Sequence, residues 1–142
     1  MAFIQSLYPE EHAHRYKLRE LLSDGSRFII ARYDGVAIGC GAYVWHADHQ
    51  VEIKHMYVSP ASRGLGCGRA LLREIEVHAC HDHVVRIVLE TSKKQVEAIR
   101  LYASFGYTVC EPYTEHHAED IFMMKFLEVP QYTDVDYSLE ME

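Results

Sequence analysis

The chain contains 142 residues, of which 49% are apolar and 25% are charged, enough for one hydrophobic core and too few for two ordinary domains. A net charge of −7, with no dense Lys/Arg face outside one glycine-rich turn, argues against a nucleic-acid partner. No apolar run is long enough to cross a membrane and no signal peptide is evident, so we expect a soluble cytoplasmic protein without membrane contact.

The first part of the chain predicts a short helix and then a hairpin. Residues 10–22 carry apolar side chains at helical spacing, which indicates a surface helix. The dipeptide Asp34-Gly35 separates two apolar runs, residues 27–33 and 36–46, and is a strong signal for a tight turn between antiparallel strands. We therefore expect an antiparallel meander to begin here.

A third strand at residues 51–58 leads into a glycine-rich turn and then an amphipathic helix at residues 66–80. Glycines let successive backbone N–H groups face an anion, and the first helical turn adds unpaired donors and a positive dipole end. Two flanking arginines suit a pyrophosphate or a ribose phosphate. The turn therefore predicts a nucleotide-like ligand. Its residues are Arg63, Gly64, Leu65, Gly66, Cys67, Gly68 and Arg69.

Residues 84–90 form a nearly continuous β-branched run, typical of a strand covered on both faces and often of parallel pairing. With the preceding strand and helix they would complete a βαβ unit. A second helix is expected at residues 95–105, with Gly106 placed as its C-terminal cap. Residues 107–110 and 121–126 are predicted to be two more strands.

The last residues form an acidic tail with no Lys or Arg. Within it, apolar and polar side chains alternate over residues 135–142, as in a strand buried on one face. We expect one domain at residues 1–127 and an extension at residues 128–142. The strand of the extension would pair with a sheet edge of its own chain or of a second copy in a homodimer.

Two motifs carry a resemblance to a known family. The segment MYVSPASRGLGCGRALL resembles an acetyl-coenzyme A segment of the strand, RxxGxG, helix type, and QVEAIRLYASFGY resembles NxxAxxLYxxxGF. Over roughly residues 2–127 the chain thus resembles the GCN5-related N-acetyltransferase (GNAT) superfamily. The resemblance implies an α/β (α+β) fold with a mixed sheet of six to seven strands and flanking helices. That sheet would splay between the fourth and fifth strands.

The resemblance implies acetyl-CoA as co-substrate, no metal, and transfer of the acetyl group to a primary amine of a small molecule or peptide. Backbone groups of Met56, Tyr57 and Val58 would hold the pantetheine arm where their strand splays from the next one. The glycine-rich turn would hold the pyrophosphate. Gln95, which stands where the family usually has Asn, would reach the cofactor from the second helix with the same amide and a longer side chain.

The transfer needs a base, because an amine with a pKa of about 10.4 is protonated at pH 7. The resemblance offers two candidates: Glu52 matches the glutamate of histone acetyltransferases, and Glu90 that of the ribosomal-protein alanine acetyltransferases. We favour Glu90, because an acid that ends an apolar run is costly unless it is paired or used. Structural roles stay open for both, as a partner of Lys54 for Glu52 and as the cap of a following turn for Glu90.

Tyr102 is implied as the general acid toward the departing thiolate, and its alternative role is packing within the apolar stripe of the second helix. A non-catalytic acyl-CoA sensor or scaffold is the main alternative function. A nicotinamide-dependent oxidoreductase is disfavoured, because the turn has GxGxG and not GxGxxG spacing. The histidines of residues 78–83 match no common zinc signature, and the cysteines contain no CxxC pair.

Overall fold

A computed structural model describes residues 26–128 of the chain. Within these residues, three strands come first, two helices then flank the fourth strand, and two strands follow; a 3-10 turn precedes the first helix. In chain order they are β1 (Arg27–Tyr33), β2 (Val36–Ala47), β3 (Gln50–Val58), the 3-10 turn (Pro60–Ser62), α1 (Cys67–His81), β4 (Arg86–Ser92), α2 (Val96–Ser104), β5 (Thr108–Val109) and β6 (Asp120–Phe126).

The described strands form one mixed sheet in the order β1-β2-β3-β4-β6-β5. Strands β1 to β3 are an antiparallel meander. Strands β3 and β4 are parallel and are joined through α1, and β4, β6 and β5 are antiparallel. The predicted meander, the βαβ unit and the mixed α/β sheet are therefore confirmed. Counted among the described strands, the parallel neighbours β3 and β4 are the third and fourth.

The local turn signals behave as expected. Asp34 and Gly35 adopt φ values of 50° and 78°, so both lie in the left-handed region that a tight hairpin turn requires. Gly106 follows α2 with a φ of 94°, which fits its predicted capping position. The strand expected at residues 84–90 begins only at Arg86, because the N–H of Val84 still donates to the carbonyl of Ala79 in α1 at 2.9 Å.

The core lies between α1, α2 and one face of the sheet. Side chains at alternate positions of β3, β4 and β6 point to this face, since successive residues of a strand face opposite ways. Each large aliphatic side chain buried here contributes roughly 1.5–3 kcal/mol. The buried cluster comprises Tyr43, Val51, Ile53, Leu72, Ile75, Ala79, Val84, Ile87, Leu89, Tyr102, Tyr107 and Met123.

Two glycines of β2 allow the layers to approach closely. A Cβ on Gly39 would lie 2.9 Å from the carbonyl oxygen of Tyr57 and 2.9 Å from Sγ of Cys67. A Cβ on Gly41 would lie 2.6 Å from Sδ of Met56. The end of β3 and the start of α1 can therefore pack on β2 only because these two positions have no side chain.

Several sequence predictions lie outside the described residues. These are the helix at residues 10–22 and the strand in the extension at residues 128–142 with its homodimer contact, of which all but residue 128 is outside the description. The domain boundary between residues 127 and 128 is not tested either. They stay predictions. In the part of the chain that the structure describes, no helix is both long enough and apolar enough to cross a membrane.

Candidate active site

The central feature is a wedge between the two parallel strands. Ladder pairing of β3 with β4 ends at Ile53 opposite Leu89, whereas β3 stays paired with β2 as far as Val58. A cleft with a volume of about 1170 Å³ opens at this point and is bordered by both strands, the glycine-rich turn and α2. The predicted divergence therefore exists, and it lies beside the turn that was expected to bind phosphate.

A bulge interrupts β3 at the mouth of the cleft. His55 has a φ of 58°, which is uncommon for a residue other than glycine, and the β2–β3 register shifts between Cys40 and Ala42. The carbonyl oxygen of His55 accepts a hydrogen bond from Sγ of Cys40 at 3.3 Å. The bulge lies immediately before Met56, the first of the three residues predicted to contact the pantetheine arm.

The glycines of the turn serve different purposes. Gly64 and Gly66 have φ values of 80° and 85°, and a Cβ on either would meet nothing within 4 Å. Their backbone conformation therefore requires glycine, and space does not. Gly68 lies in the first turn of α1, where a Cβ would be 3.2 Å from Cδ2 of Leu101, so this glycine allows α1 and α2 to approach.

Both predicted arginines line the cleft, and protein contacts orient both side chains. Nε of Arg63 donates to the carbonyl of Val58 at 3.0 Å, and its guanidinium lies 5.7 Å from the ring of Tyr57. Arg69 donates to Oγ of Ser104 at 3.3 Å. Both guanidinium groups remain exposed to solvent, so each has donors available for an anion in the cleft.

Two members of the predicted turn do not present a side chain to a ligand. Leu65 is 78% exposed and is not among the cleft-lining residues. Cys67 borders the cleft, but its side chain is buried and burial raises the pKa of its thiol. Any contribution from these two positions to anion binding must come from the backbone.

Glu52 and Glu90 project from the same face of the sheet. Glu52 is opposite Val88 in the parallel ladder, and Glu90 follows Val88 by two residues along β4. Since alternate residues share a face, the structure brings the two candidate bases together on the face away from α1. Both side chains border the cleft.

Glu52 is held by neighbouring side chains. Its carboxylate is 12% exposed, and Oε2 accepts a hydrogen bond from Oη of Tyr113 at 2.7 Å. Oε1 lies 3.7 Å from Nζ of Lys54, so the expected pairing with Lys54 is present as a long ion pair. Tyr113 lies in the loop between β5 and β6 and was not among the predicted site residues.

Glu90 is more exposed than Glu52, and its pKa is raised. Burial raises its pKa, and the neighbouring carboxylate of Asp120 raises it further. Asp120 is the diagonal neighbour of Glu90 across the β4–β6 pair. Its own pKa is lowered, chiefly because the backbone N–H of His117 donates to Oδ2 at 2.8 Å. This carboxylate therefore stays ionised beside Glu90, and the sequence analysis missed it.

The remaining predicted residues lie along α2. Tyr102 borders the cleft but is only 6% exposed, with its ring edge-on to Tyr107 at 5.7 Å between ring centroids. Burial raises the pKa of Tyr102 to about 12. Gln95 precedes the first residue of α2 and also lines the cleft. Lys94 lines it too and was not predicted, because one exposed lysine carries no distinctive sequence signal.

The histidine-rich segment has no visible role in the cleft. Nε2 of His78 lies 3.8 Å from Oε2 of Glu74, one helical turn earlier. A smaller cavity of about 520 Å³ near the β2–β3 turn includes His83 but none of the predicted site residues. Within residues 26–128, no group of three or more His, Cys, Asp or Glu side chains is arranged to hold a metal ion.

Comparisons with known proteins agree with this geometry. A sequence model described as the acetyltransferase (GNAT) family matches residues 2–107. The IAA acetyltransferase of Azospirillum brasilense is 33% identical over 129 residues, covering 90% of this chain and 83% of that protein. A Klebsiella pneumoniae structure described as an acyl-CoA N-acyltransferase has a TM-score of 0.70 at 28% identity, covering 89% and 88%. A Salmonella typhimurium structure that contains its cofactor acetyl-CoA has a TM-score of 0.64 at 27% identity, covering 82% and 70%.

Proposed function

Because the chain belongs to the GNAT acetyltransferase family, we propose that it transfers the acetyl group of acetyl-CoA directly to a primary amine. One observation carries the proposal. A single cleft is bordered by a glycine-rich turn with two exposed arginines, by a strand that has parted from its neighbour, by two glutamates and by a buried tyrosine. These groups match the needs of the donor, the acceptor and the leaving group.

The cleft residues fit coenzyme A by their chemistry. Arg63 and Arg69 offer cationic donors beside backbone N–H groups at the start of α1, which suits a pyrophosphate. Met56, Tyr57 and Val58 follow the last β3–β4 pair, so their backbone can serve an extended amide-containing chain as a sheet edge would. Bound acetyl-CoA supplies a thioester whose acetyl carbon accepts an amine.

We assign the general base to Glu90. An amine with a pKa of about 10.4 loses its proton to bulk water at pH 7 at a cost of roughly 4–5 kcal/mol. A carboxylate with a raised pKa accepts that proton more readily than an ordinary one, and Glu90 is open to the cleft and has a raised pKa. Glu52 is less available, because its side chain is only 12% exposed and Oε2 already accepts a hydrogen bond from Tyr113.

We assign Tyr102 to the leaving group. With a pKa raised to about 12, its phenol is neutral at pH 7 and has a proton to donate. A generic thiol has a pKa of about 8.5, so complete transfer of that proton to a thiolate is uphill. Tyr102 therefore acts mainly as a hydrogen-bond donor that stabilises the developing charge on sulfur. Because Tyr102 is buried, the low local dielectric strengthens that hydrogen bond.

The test measures free-thiol release from acetyl-CoA against a panel of small and peptide amines. We expect amine-dependent release, and a kcat about 100-fold lower for Tyr102→Phe. Tyr107→Phe is the matched control, because Tyr107 is also buried, contacts Tyr102 edge-on and does not line the cleft. Its kcat should stay within about two-fold of wild type, since its hydroxyl contacts no reacting group.

Each outcome has a clear reading. Acetyl-CoA binding without release in the presence of any amine would favour the sensor or scaffold alternative. Equal losses in Tyr102→Phe and Tyr107→Phe would contradict the assignment of Tyr102, because the effect would then come from packing.

A further inference from the structure

Two aromatic side chains of the loop between β5 and β6 lie against the sheet face away from α1: His116 contacts Phe122 edge-on at 5.6 Å between ring centroids, and Tyr113 reaches three strands. The ring of Tyr113 contacts Phe122 of β6 edge-on at 4.9 Å and His46 of β2 at 4.8 Å, both between ring centroids. Its hydroxyl donates to Glu52 of β3 at 2.7 Å. One side chain therefore joins three strands and ends on a carboxylate of the cleft.

The contact defines the orientation of Glu52. Oε2 accepts the hydrogen bond from the Tyr113 hydroxyl, which leaves Oε1 directed toward the ammonium group of Lys54 at 3.7 Å. This separation exceeds a hydrogen-bond distance, and the Lys54 side chain is 44% exposed. An alkylammonium group thus already lies near Oε1 without being tightly bound, so another ammonium can replace it at low cost.

We propose that Glu52 binds the ammonium group of the acetyl acceptor, and that Tyr113 is a positioning residue that holds Glu52 in place for this role. This inference rests on the proposed function. The two glutamates then have separate tasks. Glu52, which is fixed by a hydrogen bond, attracts and orients the protonated amine, and Glu90, which is open to the cleft, takes its proton. The pKa of Tyr113 is raised by burial and then by Glu52, so the phenol stays protonated and remains a donor throughout the working pH range.

The first experiment separates binding from chemistry. Tyr113→Phe keeps the ring that contacts His46 and Phe122 and removes only the hydroxyl. We expect the acceptor KM to rise about ten-fold, as for loss of a hydrogen bond to a charged group, with kcat within about two-fold of wild type. Tyr33→Phe is the control, because Tyr33 is 70% exposed in β1 and should change neither constant.

A double-mutant cycle then tests whether Tyr113 acts through Glu52. In a Glu52→Ala background, Tyr113→Phe should change the KM for the amine by less than about two-fold, because the carboxylate to which the Tyr113 hydroxyl donates is gone. The same cycle measured by urea unfolding needs no substrate. It should show a coupling of about five-fold in the unfolding equilibrium constant.

An unchanged KM in Tyr113→Phe, additive effects in the KM cycle, or no coupling in unfolding would each overturn the inference. A lower kcat at constant KM would also overturn it, because Glu52 would then take part in the chemical step. If the wild type turns over no amine while the unfolding coupling persists, the proposed function fails and the ammonium-binding role with it. In that case the Tyr113–Glu52 contact itself is upheld.

Discussion

Asp82, which follows the last residue of α1, should make stability depend on pH in a defined way. Arg27 of β1 donates to both of its oxygens, from Nε at 3.0 Å and from Nη2 at 2.8 Å, and the buried Tyr43 donates to Oδ2 as well. The guanidinium hydrogen bonds lower the pKa of Asp82 from 3.8 to about 2. Asp82→Asn removes the charge and one of the two acceptors of Arg27, while its amide oxygen can still accept from Tyr43, so it tests the ion pair as a whole.

The size of the effect follows from the pKa difference. The fall of the Asp82 pKa from 3.8 to about 2 corresponds to roughly 2 kcal/mol at most, since a tenfold change in acidity is worth about 1.4 kcal/mol. The Arg27 side chain is 43% exposed and that of Asp82 is 19% exposed, so solvent screening reduces this value. We expect Asp82→Asn to lower the free energy of unfolding by about 1 kcal/mol at pH 7, or to lower Tm by about 4 °C.

The sign with pH is fixed by the lowered pKa. The contribution of Asp82 is fully present above the unfolded-state pKa of about 3.8 and is lost as the pH falls toward about 2. Urea unfolding of wild type and Asp82→Asn should therefore show a constant difference from pH 8 to pH 5 and a shrinking one below pH 4. Asp48→Asn is the control, because Asp48 is exposed and forms no ion pair with another described residue. A difference that persists undiminished at pH 3, or none at pH 7, would refute the reasoning.

Three further predictions concern the wedge and its supports. Gly39→Ala should destabilise the fold by about 1–3 kcal/mol in urea unfolding, because the new Cβ would lie 2.9 Å from the backbone oxygen of Tyr57; wild-type stability would contradict this. Glu90→Gln should remove the acidic limb of the kcat/KM profile, whose wild-type midpoint should lie above 4.5; an unchanged limb would exclude Glu90 as the base. Lys125→Met should cost about 2–3 kcal/mol by calorimetry, because it leaves the carboxylate of Glu76, now paired at 2.7 Å, without its cation; a neutral result would show that solvent replaces the pair.

The parts of this protein that could be predicted from sequence are those that local chemistry determines. Asp34-Gly35 specifies a hairpin turn because few other residues tolerate positive φ at both central positions, and the structure has that turn. The β-branched run that became β4 predicted a covered, parallel strand for a similar reason, since strands buried on both faces have no polar alternation. Each of these signals lies within ten or so residues of the feature it predicts.

The parts that were missed depend on contacts between distant residues. Tyr113 lies 61 residues from Glu52, and its role depends on the path of a loop that contains no regular structure. Asp120 raises the pKa of Glu90 only because the β4–β6 register makes the two residues diagonal neighbours, and that register cannot be read from either segment alone. Leu65 was included in the anion-binding turn because it lies between two glycines, yet its side chain is 78% exposed and does not line the cleft.

The bulge at His55 means that β3 changes sides partway along its length. Before it, Ile53 points toward α1 and Glu52 points away. After it, Met56 is the residue directed at α1, because its sulfur lies beneath Gly41 and it packs on the core. Even-numbered residues of β3 therefore face the acceptor side of the cleft before the bulge, as Glu52 does, and face α1 after it, as Met56 does. If the same residues formed a regular strand without the bulge, Met56 would face away from α1, and the donor half of the cleft would be out of phase with the acceptor half, although every side chain of the chemistry would still be present.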